Sequence, residues 1–227
     1  MQKGVPRGCT APYTGREVKH MKDSYDIIFA GVGGQGLMLL SAILGKAAVD
    51  ADMEVLTGEQ HGLSQRQGSI YVHFRMGKPI SPLIPYGTAD MMIAMEATEA
   101  LRYIEYLRDD GVIIMSNRIM PPPGETEEVA LDEERKTKYV TVEAIEKKLR
   151  EITENIVLLD SLTLAKEAGN PRTENSVLIG AVCSCKDFPI ETESVRKAVL
   201  DLVPPKTRDA NSRAFDLGRD AGGECLG

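Results

Sequence analysis

Two stretches of the 227-residue chain carry residue types whose spacing suits chemistry. The first, Gly31-Val32-Gly33-Gly34-Gln35-Gly36, follows an apolar run and opens directly into Leu37-Met38-Leu39-Leu40. Glycines in such a turn admit positive φ and let the backbone come close to an anion, while a helix start offers unpaired N–H groups and the positive end of a dipole. Gly33, Gly34, Gln35 and Gly36 are therefore candidates to hold a phosphate. The spacing also fits the dinucleotide fingerprint G-x-G-x-x-G. A tight strand-to-helix turn wants glycines with or without a ligand, so both readings stand at this point.

The second stretch, Gly58-Glu59-Gln60-His61-Gly62-Leu63-Ser64-Gln65-Arg66-Gln67-Gly68-Ser69, reads as a long polar loop. His61 can move a proton near neutral pH. Arg66 can grip a carboxylate or phosphate through two parallel hydrogen bonds, which lysine cannot do. Ser64 and Gln65 add polar groups beside them. Glu59 is the candidate acid that a nicotinamide dehydrogenase places on a ribose about 20 residues after its glycine turn, but it sits in this polar stretch and not in the short turn that ends a dinucleotide-binding strand. A self-contained NAD(P)-dependent reductase is the alternative that Glu59 keeps open.

The elements that must position these residues follow from periodicity. Residues 25–30 form a first strand, and Leu37 to Val49, apolar almost all round, form a helix buried on more than one side. Glu54 to Thr57 is a short second strand. Ser69 to Gly77 alternates, with Ile70, Val72, Phe74 and Met76 on one face and Tyr71, His73 and Arg75 on a face that is either solvated or a subunit contact. Strands at Ala89–Ala94 and Val112–Met115 flank a helix carrying Ala97, Leu101, Ile104 and Leu107, stopped by Asp109-Asp110-Gly111. Met120-Pro121-Pro122-Pro123-Gly124 and the acidic run after it form a surface excursion. Tyr139 to Val142 is a strand, Glu143 to Thr153 a helix with Ile145, Leu149 and Ile152 inward, and Ile156 to Leu159 the last strand. Helices then follow, capped by Asp160 or Ser161, Thr173, Thr192 and Thr207, and they span Glu174 to Ser184, Glu193 to Leu202 and Arg208 to Arg219. The fold class is α/β: a three-layer, mostly parallel, Rossmann-like sheet with a helical C-terminal third.

Composition narrows the function classes. With 42% hydrophobic and 27% charged residues the chain is ordinary globular protein, and a net charge of −7 argues against nucleic acid as partner. No apolar stretch approaches the ~20 residues that span a bilayer, which points to the cytoplasm and away from membranes. Residues 1–23 read as a disordered leader or cloning remnant, 24–222 as a single domain and 223–227 as a tail. The four cysteines, Cys9, Cys183, Cys185 and Cys225, lack the clustered spacing of an iron–sulfur site. Cys183 and Cys185 are two buried free thiols or a redox or metal half-site; no metal ligand set is assigned.

With these residues in view, the chain resembles the small subunit of indolepyruvate ferredoxin oxidoreductases, and more broadly the gamma subunit of 2-oxoacid:ferredoxin oxidoreductases, over about residues 24–222. The likeness rests on the glycine turn, on the Glu59 to Ser69 stretch, on Glu99-Ala100-Leu101-Arg102-Tyr103, and on Asn175, Gly180, Pro204-Pro205-Lys206, Asn211, Ala214-Phe215 and Gly218. The resemblance implies oxidative decarboxylation of a 2-oxoacid to an acyl-coenzyme A, with coenzyme A as co-substrate and ferredoxin as electron acceptor. The run 100–107 suggests the arylpyruvate branch; pyruvate, 2-oxoglutarate or ketoisovalerate are the other substrates of the family. Thiamine diphosphate, Mg2+ and iron–sulfur clusters are expected on a larger partner subunit: the nearest string to a thiamine motif here is Asp109-Asp110-Gly111, and no paired asparagine occurs. On the same resemblance, Gly33, Gly34, Gln35 and Gly36 receive a phosphate of coenzyme A or the partner's backbone. His61 and Arg66, with Ser64 and Gln65, either reach the shared active-site region in a supporting role or pin an intersubunit seam. Self-association also fits the apolar helix after the turn.

Overall fold

The computed structural model describes residues 23–61, 68–120 and 140–225. Six strands form one sheet: β1 (Ser24–Val32), β2 (Glu54–His61), β3 (Ser69–Gly77), β4 (Ala89–Ala94), β5 (Leu107–Ser116) and β6 (Ile156–Leu159), in the order β2-β3-β1-β4-β5-β6. β4 runs parallel to β1, β5 to β4 and β6 to β5, while β3 lies antiparallel to both β1 and β2. Every strand but β3 therefore points the same way, as expected of a mostly parallel sheet. The helices are α1 (Leu37–Asp50), α2 (Ala97–Arg102), α3 (Val142–Leu149), α4 (Ser161–Glu167), α5 (Glu174–Val182), α6 (Thr192–Leu202) and α7 (Arg208–Cys225).

Successive strand residues face opposite sides, and β1 is apolar on both. Ile27 and Phe29 pack with Val72, Phe74, Met91 and Ile93 against α1, α5, α6 and α7. Ile28 and Ala30 pack with Met92, Ala94 and Ile113 against α2, α3 and Tyr106. The result is three layers, with the helical C-terminal third covering one face. Among the described residues, no helix is long and apolar enough to cross a membrane.

Several elements differ from expectation, each for a visible reason. β2 continues through Gly58 to His61 because β3 pairs with it along its whole length, His61 opposite Ile70; only residues 62–67 of the supposed long loop are left between the two strands, and they lie outside the described residues. The Tyr71, His73 and Arg75 face is neither solvated nor a free contact face. β3 is interior to the sheet, so this side is covered too: His73 is 2% exposed, Tyr71 stacks on Tyr103 at 4.3 Å, and Arg75 Nε donates to Asp26 at 2.9 Å. α1 buries Leu40, Ile43, Leu44 and Ala47 but leaves Met38 and Val49 outside, so it is one-sided.

The helix after β4 stops at Arg102, followed by a short turn of 3-10 helix, Ile104–Tyr106. Leu107 and Asp109-Asp110-Gly111 belong to β5, at a register irregularity between Ala89 and Met91 that lets the two aspartates face solvent. No strand forms at Thr141-Val142: Thr141 caps α3, its Oγ1 accepting from Ala144 N. α3 ends at Leu149, so Ile145 and Leu149 are buried but Ile152 is 40% exposed. α7 continues past Arg219 to Cys225, and α5 ends at Val182. Asp160 caps α4 through Thr163 N, whereas the Thr173 and Thr207 hydroxyls donate back to the carbonyls of Asn170 and Pro204. Cys183 is half-buried and Cys185 buried, both free, and burial pushes each thiol up to about 12; such thiols are inert.

Candidate functional site

The glycine turn lies at the carboxyl end of β1, where ligands bind in open parallel sheets. Gly34 has φ +94° and Gly36, the residue preceding α1, has φ +81°, conformations that L side chains rarely adopt. Gln35 closes the turn on itself. Its Oε1 accepts from Val32 N at 2.8 Å, and its Nε2 donates to Met95 O at 3.2 Å. Gly33, Gly34 and Gly36 line a cavity at the start of α1, whose positive dipole end suits an anion.

A cavity of about 480 Å3 opens at this turn. Its far wall comes from the carboxyl end of β5 and from the start of α5: Arg118, Met120, Arg172, Glu174 and Asn175. Arg118 is held in place by a relay. Its Nη1 donates to Glu174 Oε1 at 2.5 Å, Ser161 Oγ donates to Glu174 Oε2 at 2.9 Å, and Ser161 meets Ser116 Oγ at 2.7 Å. Ser116 and Ser161 are fully buried, which makes the relay stiff. Asn175 reaches across to the turn, its Nδ2 donating to Gly36 O at 3.2 Å; a Cβ on Gly36 would sit 2.7 Å from that nitrogen. Asn175 is 9% exposed, and its Oδ1 has no hydrogen-bond partner among the described residues.

Glu96, fully buried at the end of β4, ties the cavity rim together. It caps α2 through Glu99 N at 2.9 Å and accepts from Met120 N at 2.8 Å. A smaller hollow of about 270 Å3 lies at the other end of the sheet, but there Asp90 and Asp110 are both engaged with Arg108, at 3.3 and 3.0 Å.

Of the sequence-derived candidates, Gly33, Gly34, Gln35 and Gly36 come together on the cavity, with Gln35 turned to the protein. The base of the second stretch adjoins them: Gly33 N donates to Gly68 O at 3.0 Å. Ser69 Oγ is bonded to Glu99 and to the Tyr103 hydroxyl, fixing the same base from the other side. The backbone of His61 closes β2, while its side chain and Ser64, Gln65 and Arg66 lie outside the described residues. Glu59 is exposed on β2, paired with Val72, and β3 separates it from β1.

Residues 26–221 match the family described as Pyruvate ferredoxin/flavodoxin oxidoreductase. The chain belongs to this family. It is 39% identical over 205 residues to "Indolepyruvate oxidoreductase subunit IorB" of Thermococcus kodakarensis, covering 89% of this chain and 98% of that protein. Its fold matches the keto/oxoacid ferredoxin oxidoreductase gamma subunit from Geobacter sulfurreducens, with a TM-score of 0.62 at 21% identity, over 87% of this chain and 98% of that one. It also matches a 2-oxoglutarate:ferredoxin oxidoreductase from Magnetococcus marinus solved with 2-oxoglutarate, coenzyme A and succinyl-CoA bound, with a TM-score of 0.64 at 18% identity, over 88% of this chain and 31% of that longer one.

Sequence reasoning missed Arg118 and Glu174, which line the cavity. One signal was available: Arg118 stands two residues past a strand's carboxyl end, on the edge where ligands collect. Glu174 had no such signal, because it meets Arg118 only through the packing of α5.

Proposed function

We propose that this chain is the small, non-thiamine, cluster-free subunit of an indolepyruvate-type 2-oxoacid:ferredoxin oxidoreductase, which completes a complex whose chemistry is carried by a larger partner. The observation that carries this reading is the 39% identity running over 98% of an indolepyruvate oxidoreductase subunit. The chain's own residues fit neither of the groups such chemistry needs. Its four cysteines have no cluster spacing, and Asp109-Asp110-Gly111 is followed by no paired asparagine. Thiamine diphosphate, Mg2+ and iron–sulfur clusters therefore belong to the larger subunit, with ferredoxin as electron acceptor, coenzyme A as co-substrate and the cytoplasm as location.

In this reading residues 24–222 act as one domain that supplies shape and electrostatics. The glycine turn receives a phosphate of coenzyme A, and the hairpin bearing His61, Ser64, Gln65 and Arg66 reaches the region shared with the partner. Reconstitution tests it. The isolated chain is expected to give no turnover, and arylpyruvate-, coenzyme A- and ferredoxin-dependent turnover is expected to appear when the larger subunit is added. Turnover by the chain alone would sink the reading, and preference of the complex for 2-oxoglutarate or pyruvate would move it to another branch of the family. Loss of at least about tenfold in kcat for His61→Ala or Arg66→Ala in the complex supports an active-site role; full turnover assigns both to the seam.

A further inference from the structure

Arg118, in the cavity wall, belongs to a closed circuit of hydrogen bonds whose direction the hydroxyl protons fix. Ser161 Oγ donates its one proton to Glu174 Oε2 at 2.9 Å, so at the 2.7 Å contact with Ser116 Oγ it can only accept. Ser116 Oγ therefore donates to Ser161, and it accepts in turn from Arg118 N at 3.3 Å. Glu174 Oε1 accepts from Arg118 Nη1 at 2.5 Å, which brings the circuit back to the residue where it began. The backbone and the side chain of Arg118 are thus tied to the same three side chains, at the last residue of β5 and the first residues of α4 and α5.

Three of the four members are turned away from any ligand. Ser116 and Ser161 are fully buried, and Glu174, 9% exposed, has both carboxylate oxygens engaged. Arg118 is different: its side chain is 31% exposed, and its Nη2 meets the Met120 thioether, a weak acceptor, at 3.9 Å, so strong donors remain for an anion in the cavity. An arginine that is free before binding must be ordered when an anion arrives, which weakens the complex, whereas one already fixed escapes that loss. The carboxylate that fixes Arg118 also offsets its charge, so what Glu174 adds is direction and not attraction. We propose that Glu174, oriented by Ser161 and Ser116, is a positioning residue for the anionic co-substrate: it sets the Arg118 guanidinium in advance, so that the cavity takes coenzyme A without reordering its wall. The inference rests on the glycine turn receiving a phosphate of coenzyme A, and it adds the residues that act on that step without touching the ligand.

Two variants that leave the charge of the cavity as it is test this in the complex with the larger subunit. Ser161→Ala removes the proton that orients Glu174, and Glu174→Asp draws the carboxylate back by one methylene, so that it no longer spans Ser161 and Arg118. Each is expected to raise the KM for coenzyme A by about fivefold, the factor expected for ordering one arginine side chain, with kcat and the KM for the arylpyruvate held within about twofold. Arg118→Ala should raise the coenzyme A KM by about tenfold or more. Adding Ser161→Ala to Arg118→Ala should then change nothing further, because Ser161 acts only through the guanidinium. Calorimetric titration of coenzyme A into the complex reads the same ratios as dissociation constants, without turnover. Arg118→Ala that weakens coenzyme A while Ser161→Ala and Glu174→Asp lower only the urea midpoint overturns this inference alone, and so does a fully additive loss in the double variant. Arg118→Ala without effect on coenzyme A overturns it together with the placement of coenzyme A on the glycine turn. If Ser161→Ala does not fold, Glu174→Asp carries the comparison by itself.

Discussion

At the scale of single residues, the side chains of the turn divide between holding shape and meeting a ligand. Gln35 belongs to the first group, since its amide bridges Val32 N and Met95 O and so joins the turn to the end of β4. Gln35→Ala should leave both backbone groups short of a partner and cost about 2 kcal/mol, read as a lower urea midpoint with an unchanged slope. His73 is a second residue whose environment fixes its chemistry. Its Nδ1 accepts from Ile84 N at 3.2 Å, which puts the proton of the neutral ring on Nε2, and the ring packs against Tyr106 and Tyr71. Burial first, and then the Arg75 guanidinium, hold the imidazole below its usual range. The unfolded chain takes up this proton near pH 6.5 while the folded chain resists it. Its contribution to stability is therefore complete above about pH 6.5 and is lost as the pH falls through the lower folded value. Between pH 7.5 and 5.5 the urea midpoint of the parent chain should fall more than that of His73→Asn, which keeps an acceptor for Ile84 N and does not titrate. Equal falls would show that His73 is not the group responsible.

At the scale of elements, the closest backbone approaches at glycines in the described structure are where α5 crosses α7. A Cβ on Gly218 would stand 1.9 Å from Val177 O, and one on Gly180 would stand 2.0 Å from Phe215 O, so both positions must be glycine for the backbones to meet. Gly218→Ala should push the helices apart and cost about 3 kcal/mol or more, the upper end for overpacking. Gly223→Ala, five residues on, meets nothing nearer than Ser184 Cβ at 4.0 Å and should be neutral or slightly stabilising through better helix propensity. A calorimetric scan of the two variants separates a packing effect from a propensity effect. This crossing also marks how far the sequence could be read. Both helices were legible from their punctuation, and Gly180 and Gly218 stood out as shared with the family, but periodicity along one helix says nothing about which helix it will touch. The misread elements have the same origin. Asp109-Asp110-Gly111 carries turn chemistry that a strand irregularity absorbs, and Thr141-Val142 has β-branched side chains whose local preference yields to a cap. In the site, the glycine turn was legible because its requirement is local. Arg118, Glu174, Ser116 and Ser161 were not, because they converge from the end of one strand and the starts of two helices far apart in the chain.

At the scale of the whole molecule, the order of the strands decides between the two functional classes that the glycine turn left open. A dinucleotide enzyme of the Rossmann type places the strand after its first helix directly beside the first strand, so that an acid at its end can reach the ribose while the pyrophosphate rests on the turn. Here the chain leaves α1, lays down β2, and returns through β3, which inserts antiparallel between β2 and β1. Two strand spacings, roughly 10 Å, therefore separate β2 from β1, and Glu59 stands exposed on that outer strand. The turn's left-handed glycines and the helix start still suit a phosphate, but the partner group that would make it a nicotinamide site is displaced sideways beyond hydrogen-bond reach. NADH, which has ribose hydroxyls for an acid but no phosphate monoester, is expected to show no micromolar binding to the full chain by calorimetry. Glu59→Ala should change the affinity for no nucleotide that does bind. Micromolar NADH binding that disappears in Glu59→Ala would mean that the acid reaches the turn despite the inserted strand, and the chain would then have to be regarded as a reductase in its own right.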